Sequence, residues 1–316
     1  MFLFVHGLNS CDSPSTNKGN KNSDNLFSST KVETDEISKL LKMNCDSNAT
    51  MLKEIVKNDS TISLKTFFES YSLGNFEPFW LQKSGLSNYA SEFLHALDSL
   101  TFDGLNAENY NYATLLQKSK DIEAEKIKSP EELARFDLEM TYAFLKATKD
   151  LVIGKDFELK RNKDWKNKND TLFNQAQTLY SLINSENFNN SFDSLRPNHI
   201  WYTKFRQEYT RLYQIANQGG WPSIQNLKDS MAVGYNSPDI TILRKRLFSE
   251  ISLPTDTMSP ICDENLLDAI KKYQHLNHVK VSGNLDTSTL KRLNKGADEK
   301  LKTLALNMER MRWLKR

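Results

Sequence analysis

Residues 129–154 read SPEELARFDLEMTYAFLKATKDLVIG, and this stretch decides the fold class. Ser129-Pro130-Glu131-Glu132 is a helix-opening box. The serine hydroxyl can accept from the backbone N–H three residues on, and Glu132 can reach back to the serine. Pro130 sits where a missing N–H costs nothing. Behind the box, Leu133, Phe136, Met140, Phe144 and Ala147 recur every three or four residues, the period of one face of an α-helix. Gly154 supplies the stop. Working outward, Ser87 stands ahead of a second helical stripe of Ala90, Phe93, Leu94, Leu97 and Leu100, closed by Asp103-Gly104. A third stripe carries Tyr202, Phe205, Tyr209, Leu212 and Ile215 and breaks at Gly219-Gly220-Trp221-Pro222. The basic, Asn-rich run from Lys160 to Asn169 reads as an exposed loop. Apolar stripes at this spacing predict core rather than a cofactor site. The expectation is a mainly α scaffold over residues 35–236.

A second unit is expected over 237–295. Ser237-Pro238-Asp239 opens a helix bearing Ile240, Leu243 and Leu247, and Asp263 caps one bearing Leu266, Ile270 and Tyr273. Gly283-Asn284 makes a turn, and Asp286 caps a third helix, with Leu285 and Leu290 placed as a hydrophobic staple. Three short helices in so few residues predict a compact bundle.

The chain has 316 residues, with 42 basic and 40 acidic side chains that nearly cancel. No concentrated Lys/Arg face is present, which argues against nucleic acid as a partner. No apolar run approaches the roughly 20 residues of a membrane-spanning helix. Cys11, Cys45 and Cys262 lie far apart and form no CxxC pair, so neither a disulfide framework nor a cysteine-rich zinc site is expected. Residues 1–34 read as the remnant of an export signal followed by a tether. Met1 to Leu8 are apolar, and Leu8-Asn9-Ser10-Cys11 has the form of a lipoprotein processing box, with Cys11 as the lipidated residue and membrane anchor. A Ser/Asn/Lys-rich tract to about Thr30 cannot bury apolar surface and serves as the tether. The alternative is a frayed start with an incidental cysteine.

Three pieces of the second unit fall in a familiar order: the helix from Asp263 to Tyr273-Gln274, then Gly283-Asn284-Leu285-Asp286, then Thr289-Leu290 through Leu293-Asn294. This order resembles the peptidoglycan-binding domain found beside many wall hydrolases and transpeptidases. Cys262 and His275-Leu276-Asn277 depart from that family's pattern. Elsewhere, Phe79-Trp80, Asp103-Gly104-Leu105 with Tyr110, Leu195-Arg196-Pro197 and Gly219-Gly220-Trp221-Pro222 resemble the scaffold domain of the large L,D-transpeptidases. So does the closing Leu306-Asn307-Met308-Glu309-Arg310-Met311-Arg312-Trp313-Leu314. The resemblance covers about 65–316. It implies peptidoglycan as the partner, with Gln274, His275, Gly283 and Asp286 at the loop mouths as contacts. It also implies a place in the cell envelope, on the periplasmic side. In that family the closing motif leads into the catalytic domain. Residues 296–316 are therefore expected to form a linker helix, poorly anchored, toward a catalytic domain missing from this chain.

L,D-transpeptidases use a cysteine nucleophile in Ser-x-Gly-Cys-x-Arg, paired with a histidine that lowers the thiol pKa. No such string occurs in these residues. Cys45 and Cys262 lack the glycine turn and read as packing thiols, although Cys262, just before a helix cap, is the better placed for activation. Ser15-Thr16-Asn17-Lys18 and Ser23-Asp24-Asn25 mimic motifs of penicillin-binding enzymes, but both lie in the tether with no Lys-Thr-Gly after them. His275 and His278 lack the third ligand that a zinc site needs. No metal or cofactor is expected. Two function classes follow: the scaffold and wall-binding part of a cross-linking L,D-transpeptidase, inert by itself, or a stand-alone wall-binding lipoprotein.

Overall fold

The computed structural model describes residues 34–45, 50–56, 59, 61–155, 173–225, 227–251 and 256–314. The Cys11 box and the Lys160–Asn169 loop lie outside the described residues. Within them the protein is mainly α-helical, as the periodicities predict, and its one sheet is a two-residue antiparallel hairpin pairing Leu81 with Leu86. The decisive stretch forms the helix Pro130–Val152, capped by Ser129, whose hydroxyl accepts from Glu132 N and donates to the Glu132 carboxylate.

That helix differs from expectation in one respect. Besides the predicted stripe it buries Ala134, Leu138, Tyr142, Leu145 and Leu151. It is therefore the central helix of its unit. Helices Thr34–Asn44, Thr50–Ile55, Asn88–Ser99, Tyr112–Glu123 and Gln175–Ile183 all pack against it. Full burial requires its polar residues to be matched. Asp137 has no exposed surface, and its carboxyl accepts from Tyr71 OH at 2.6 Å, Phe79 N at 3.3 Å and Trp80 N at 2.8 Å. The indole N–H of Trp80 donates to Thr141 at 2.9 Å. The Phe79-Trp80 pair thus turns its backbone donors into the core, where one side chain satisfies them. Burial in turn pushes the Asp137 carboxyl up to about 6, with those donors opposing the rise.

A second core gathers Ile240, Leu243, Leu247, Leu266, Ile270, Tyr273, Leu285 and Leu293. Its three helices are Asp239–Ile251, Glu264–Leu276 and Thr287–Leu293, with Asp263 and Asp286 as the N-caps expected of them. The core also takes in Ile224, Leu227 and Met231, residues the sequence reading placed in the first unit. Backbone and amide bonds tie them there. Leu285 N donates to Asp229 O at 2.7 Å, and the Asn294 side chain exchanges two 2.9 Å bonds with the Ile224 backbone. The extended segment after Trp221 lacks periodicity, so only these bonds reveal its allegiance.

The closing segment is helical over Ala297–Arg312, but it is not poorly anchored. It lies along the helix Ile200–Asn217 and buries Leu301, Met308, Arg312 and Trp313. Each apolar side chain so buried contributes about 1.5–3 kcal/mol. Its partner is thus the first unit. Near its start Lys300 also pairs with Glu250 of the three-helix bundle at 2.5 Å.

Candidate functional site

The four loop-mouth residues separate into a buried pair and a more exposed pair. Gln274, on the last turn of the helix Glu264–Leu276, has no exposed surface. Its Nε2 donates to Asn284 O at 2.7 Å, Thr289 Oγ1 at 3.1 Å and Ser282 Oγ at 3.4 Å. Its Oε1 accepts from Ser282 N at 3.0 Å and Gly283 N at 2.9 Å. With its amide fully engaged inside the protein, Gln274 shapes the 282–284 loop and presents no atom to a ligand. Gly283 is buried at φ +77°, the left-handed region that a side chain resists, and a Cβ there would also meet the Lys271 side chain at 3.3 Å.

Asp286 and His275 lie nearer solvent. The Asp286 carboxylate accepts from Thr289 N at 2.8 Å and Ser288 Oγ at 2.9 Å. These bonds, the Thr289 backbone first, hold it below the ordinary carboxylate range. Thr289 therefore links Asp286 to Gln274. His275 is exposed one residue beyond Gln274, as are Leu276 next to it and Val281 six residues on. The arrangement is a rigid loop platform, cross-braced by one glutamine, with an imidazole, a carboxylate and two apolar side chains outward. Sequence reading named Asn284 and Thr289 only as turn and motif residues and missed Ser282, and it did not foresee that all three bond Gln274. Ser282 and Thr289 bond it through their hydroxyls and Asn284 through its backbone carbonyl, which no side-chain pattern announces.

A second constellation unites motifs far apart in the chain. Asp103 is fully buried. Arg196 Nε lies 3.0 Å from both of its carboxylate oxygens, and Tyr202 OH donates to it at 3.0 Å. Into the same place comes Arg312 from the closing helix, donating to Asp103 O at 2.5 Å and Tyr202 OH at 3.0 Å and pairing with Glu309 at 2.7 Å. Burial disfavours the charge on Arg312, but Tyr202, Glu309 and Asp103 more than compensate, so its proton is held more firmly than usual. Gly104, at φ +70°, leaves room for the closing helix, since a Cβ would stand 2.8 Å from Ala305 Cβ. Gly154 does the same for Glu309 and Trp313. Three quoted motifs, Asp103-Gly104, Leu195-Arg196-Pro197 and the closing one, thus meet at one docking node. Tyr202 was read only as part of an apolar stripe.

Neither described thiol is poised for nucleophilic chemistry. Burial, with Asp137 adding, pushes the Cys45 thiol up to about 12. Cys262 is also buried and raised, by burial first and Asp263 second, with Arg244 opposing. The lowering expected from its helix-cap position is overturned, because desolvation dominates. Cys11 lies outside the described residues. Among the described residues no group of three or more His, Cys, Asp or Glu is arranged to hold a metal ion, and no helix is long and apolar enough to cross a membrane.

Residues 65–208 match a family model described as a scaffold domain. Among curated proteins no match is found for the chain. The matched stretch holds the central helix and Asp103, Arg196 and Tyr202 of the docking node, and the three-helix bundle lies after it.

Proposed function

We propose that these residues form the scaffold and wall-binding part of an L,D-transpeptidase, a protein of cell-wall peptidoglycan cross-linking. The observation that carries this reading is the scaffold-domain match over 65–208, together with the docking of the closing helix onto that same stretch through Arg312. A scaffold's task is to fix the direction in which the chain leaves it. A buried guanidinium, two close-approach glycines and a buried tryptophan hold the closing helix at a single register. The bundle over 224–294 would then hold the peptidoglycan through the face around His275 and Asp286, with Gln274 and Gly283 shaping the loop beneath. The protein would work on the periplasmic side of the cell envelope, tethered through a lipidated Cys11. Replacing Cys11 with alanine behind a full export signal should release it from membranes, and continued membrane retention would remove lipidation from the account.

Cross-linking chemistry would not reside in these residues. Amide exchange needs an activated nucleophile and a stabilised oxyanion, and both described thiols are buried and raised. Incubating the purified chain with tetrapeptide-stem muropeptides and analysing the products by mass spectrometry tests this. No dimers are expected. Dimers that disappear on Cys262→Ser would make Cys262 catalytic and overturn the scaffold reading.

A further inference from the structure

Away from the bundle, a cavity of about 560 Å³ opens between the turn after Asp193 and the helix Ile200–Asn217. Thr203, Arg206, Gln207 and Thr210 form one wall, the i, i+3, i+4, i+7 face of that helix, with Asn198 opposite. A second hollow of about 390 Å³ shares Arg206 and Asp193 with it, so Arg206 stands on the ridge between the two. This arginine is not needed to neutralise Asp103. Arg196 already grips both carboxylate oxygens, whereas Arg206 reaches them only through Nε, at 3.3 and 3.4 Å. Among the described residues the side-chain hydrogen bonds of Arg206 run through Nε alone, and a third of its side chain is exposed. Its outer fork therefore faces open space.

We propose that this cavity binds the free C-terminal carboxylate of a short, extended peptide, with Arg206 as the fork. A planar guanidinium matches a carboxylate with two parallel hydrogen bonds. Asp193 on the rim is already paired with Arg196, so Arg206 brings one uncommitted guanidinium fork to the cavity, matched to one singly charged carboxylate. Thr203, Gln207 and Asn198 offer neutral donors and acceptors suited to peptide amides, and Thr210, whose hydroxyl donates to Arg206 O at 2.9 Å, adds an acceptor. Ile200 adds the length. It is 63% exposed and lies three residues before Thr203, on the same helical face. Six residues of helix separate it from Arg206, about 9 Å. An extended chain covers that distance in about three residues. An apolar side chain two positions before the terminal carboxylate would therefore rest on Ile200 while the carboxylate meets Arg206. The volume lies within the range of small-ligand sites. This site stands apart from the wall-binding face proposed above and does not depend on it.

The test titrates the full chain with acetyl-Leu-Ala-Ala as the free acid and as the C-terminal amide, followed by NMR shifts of the 193–210 amides. The acid should bind with a dissociation constant of ~1 mM or tighter, and the amide roughly ten-fold more weakly, a difference of about 1.4 kcal/mol. Arg206→Gln should bind the acid no better than the amide. Ile200→Ser should weaken both ligands while keeping the preference for the acid. If Arg206→Gln melts early, Thr210→Glu places a carboxylate at the same wall and should abolish acid binding instead. Equal binding of acid and amide, retained preference in Arg206→Gln or undiminished acid binding in Thr210→Glu would each overturn the proposal. So would no shift from the acid at ~10 mM.

Discussion

Arg312→Ala removes the guanidinium that pins the closing helix, and its effect follows from the node's geometry. The side chain is fully buried and donates to Asp103 O and Tyr202 OH, and its loss takes from Glu309, itself nearly buried, its cationic partner. Breaking one partner out of a buried pair costs about 3–5 kcal/mol, because the remaining charge is left uncompensated. Leu301, Met308 and Trp313 still contribute about 1.5–3 kcal/mol each, so the helix should loosen rather than detach. At about 1.4 kcal/mol per decade, its opening constant should rise by roughly two to three and a half orders of magnitude. Native-state hydrogen exchange reads this directly. Amides of 301–312 should lose protection by that factor, while amides of 134–145 in the central helix keep theirs. Unchanged protection in 301–312 would mean that apolar contacts alone hold the helix. An equal loss in both places would mean that the closing helix is no separable element.

Gly104 and Gly220 share φ values of +70° and +75°, but only Gly104 has the closing helix against it, so Gly220→Ala should cost about 1–2 kcal/mol and Gly104→Ala about 1–3 kcal/mol more in urea unfolding. Equal costs would show that Ala305 yields freely. Asp137 has its carboxyl raised from 3.8 to about 6 in the fold, so the native state binds the extra proton between those values. Its contribution to stability is full below pH 4 and is lost as pH rises through 6, about 3 kcal/mol in all. Asp137→Asn should flatten that part of the stability–pH curve, and an unchanged slope would refute the assignment. Gln274→Met leaves the Ser282 and Gly283 N–H groups without their acceptor, at about 1–3 kcal/mol each, and should lower the melting temperature. A melt like wild type would mean that water replaces the amide. Cys45 and Cys262 should resist a thiol reagent at pH 8 until the protein unfolds, and rapid native labelling at Cys262 would contradict its buried, raised state.

What the sequence made legible was local. Caps such as Ser129, Asp263 and Asp286 and the stripes behind them announce themselves within a few residues, because the helix period and the orphan N–H groups are properties of the segment itself. What it hid was set by distant partners. The second apolar stripe of the central helix, with Leu138 and Leu145, was visible but could not show that the helix is surrounded. The loyalty of the 224–231 segment to the bundle rests on the bonds of Ile224 to Asn294 and of Asp229 to Leu285, each more than fifty residues on. The closing helix was expected to be loose because the resemblance gave it a packing partner outside this chain, yet a buried arginine anchors it, and an arginine in a sequence reads as surface. At the loop platform, Gln274 was legible as a special position but its role was not. Only the bonds to Ser282, Gly283 and Asn284 show that it braces the loop.

Co-sedimentation of the full chain with purified peptidoglycan sacculi tests the central functional reading most directly. The comparison is with a His275→Ala, Asp286→Asn double variant. The first change removes an exposed side chain, and the second keeps a capping oxygen while removing the charge, so the fold should survive both. The wild-type chain should pellet with the sacculi, and the double variant should require roughly ten-fold more sacculi for the same bound fraction at an unchanged melting temperature. A wild-type chain that stays in the supernatant, or a double variant that pellets equally well, would contradict wall binding through this face.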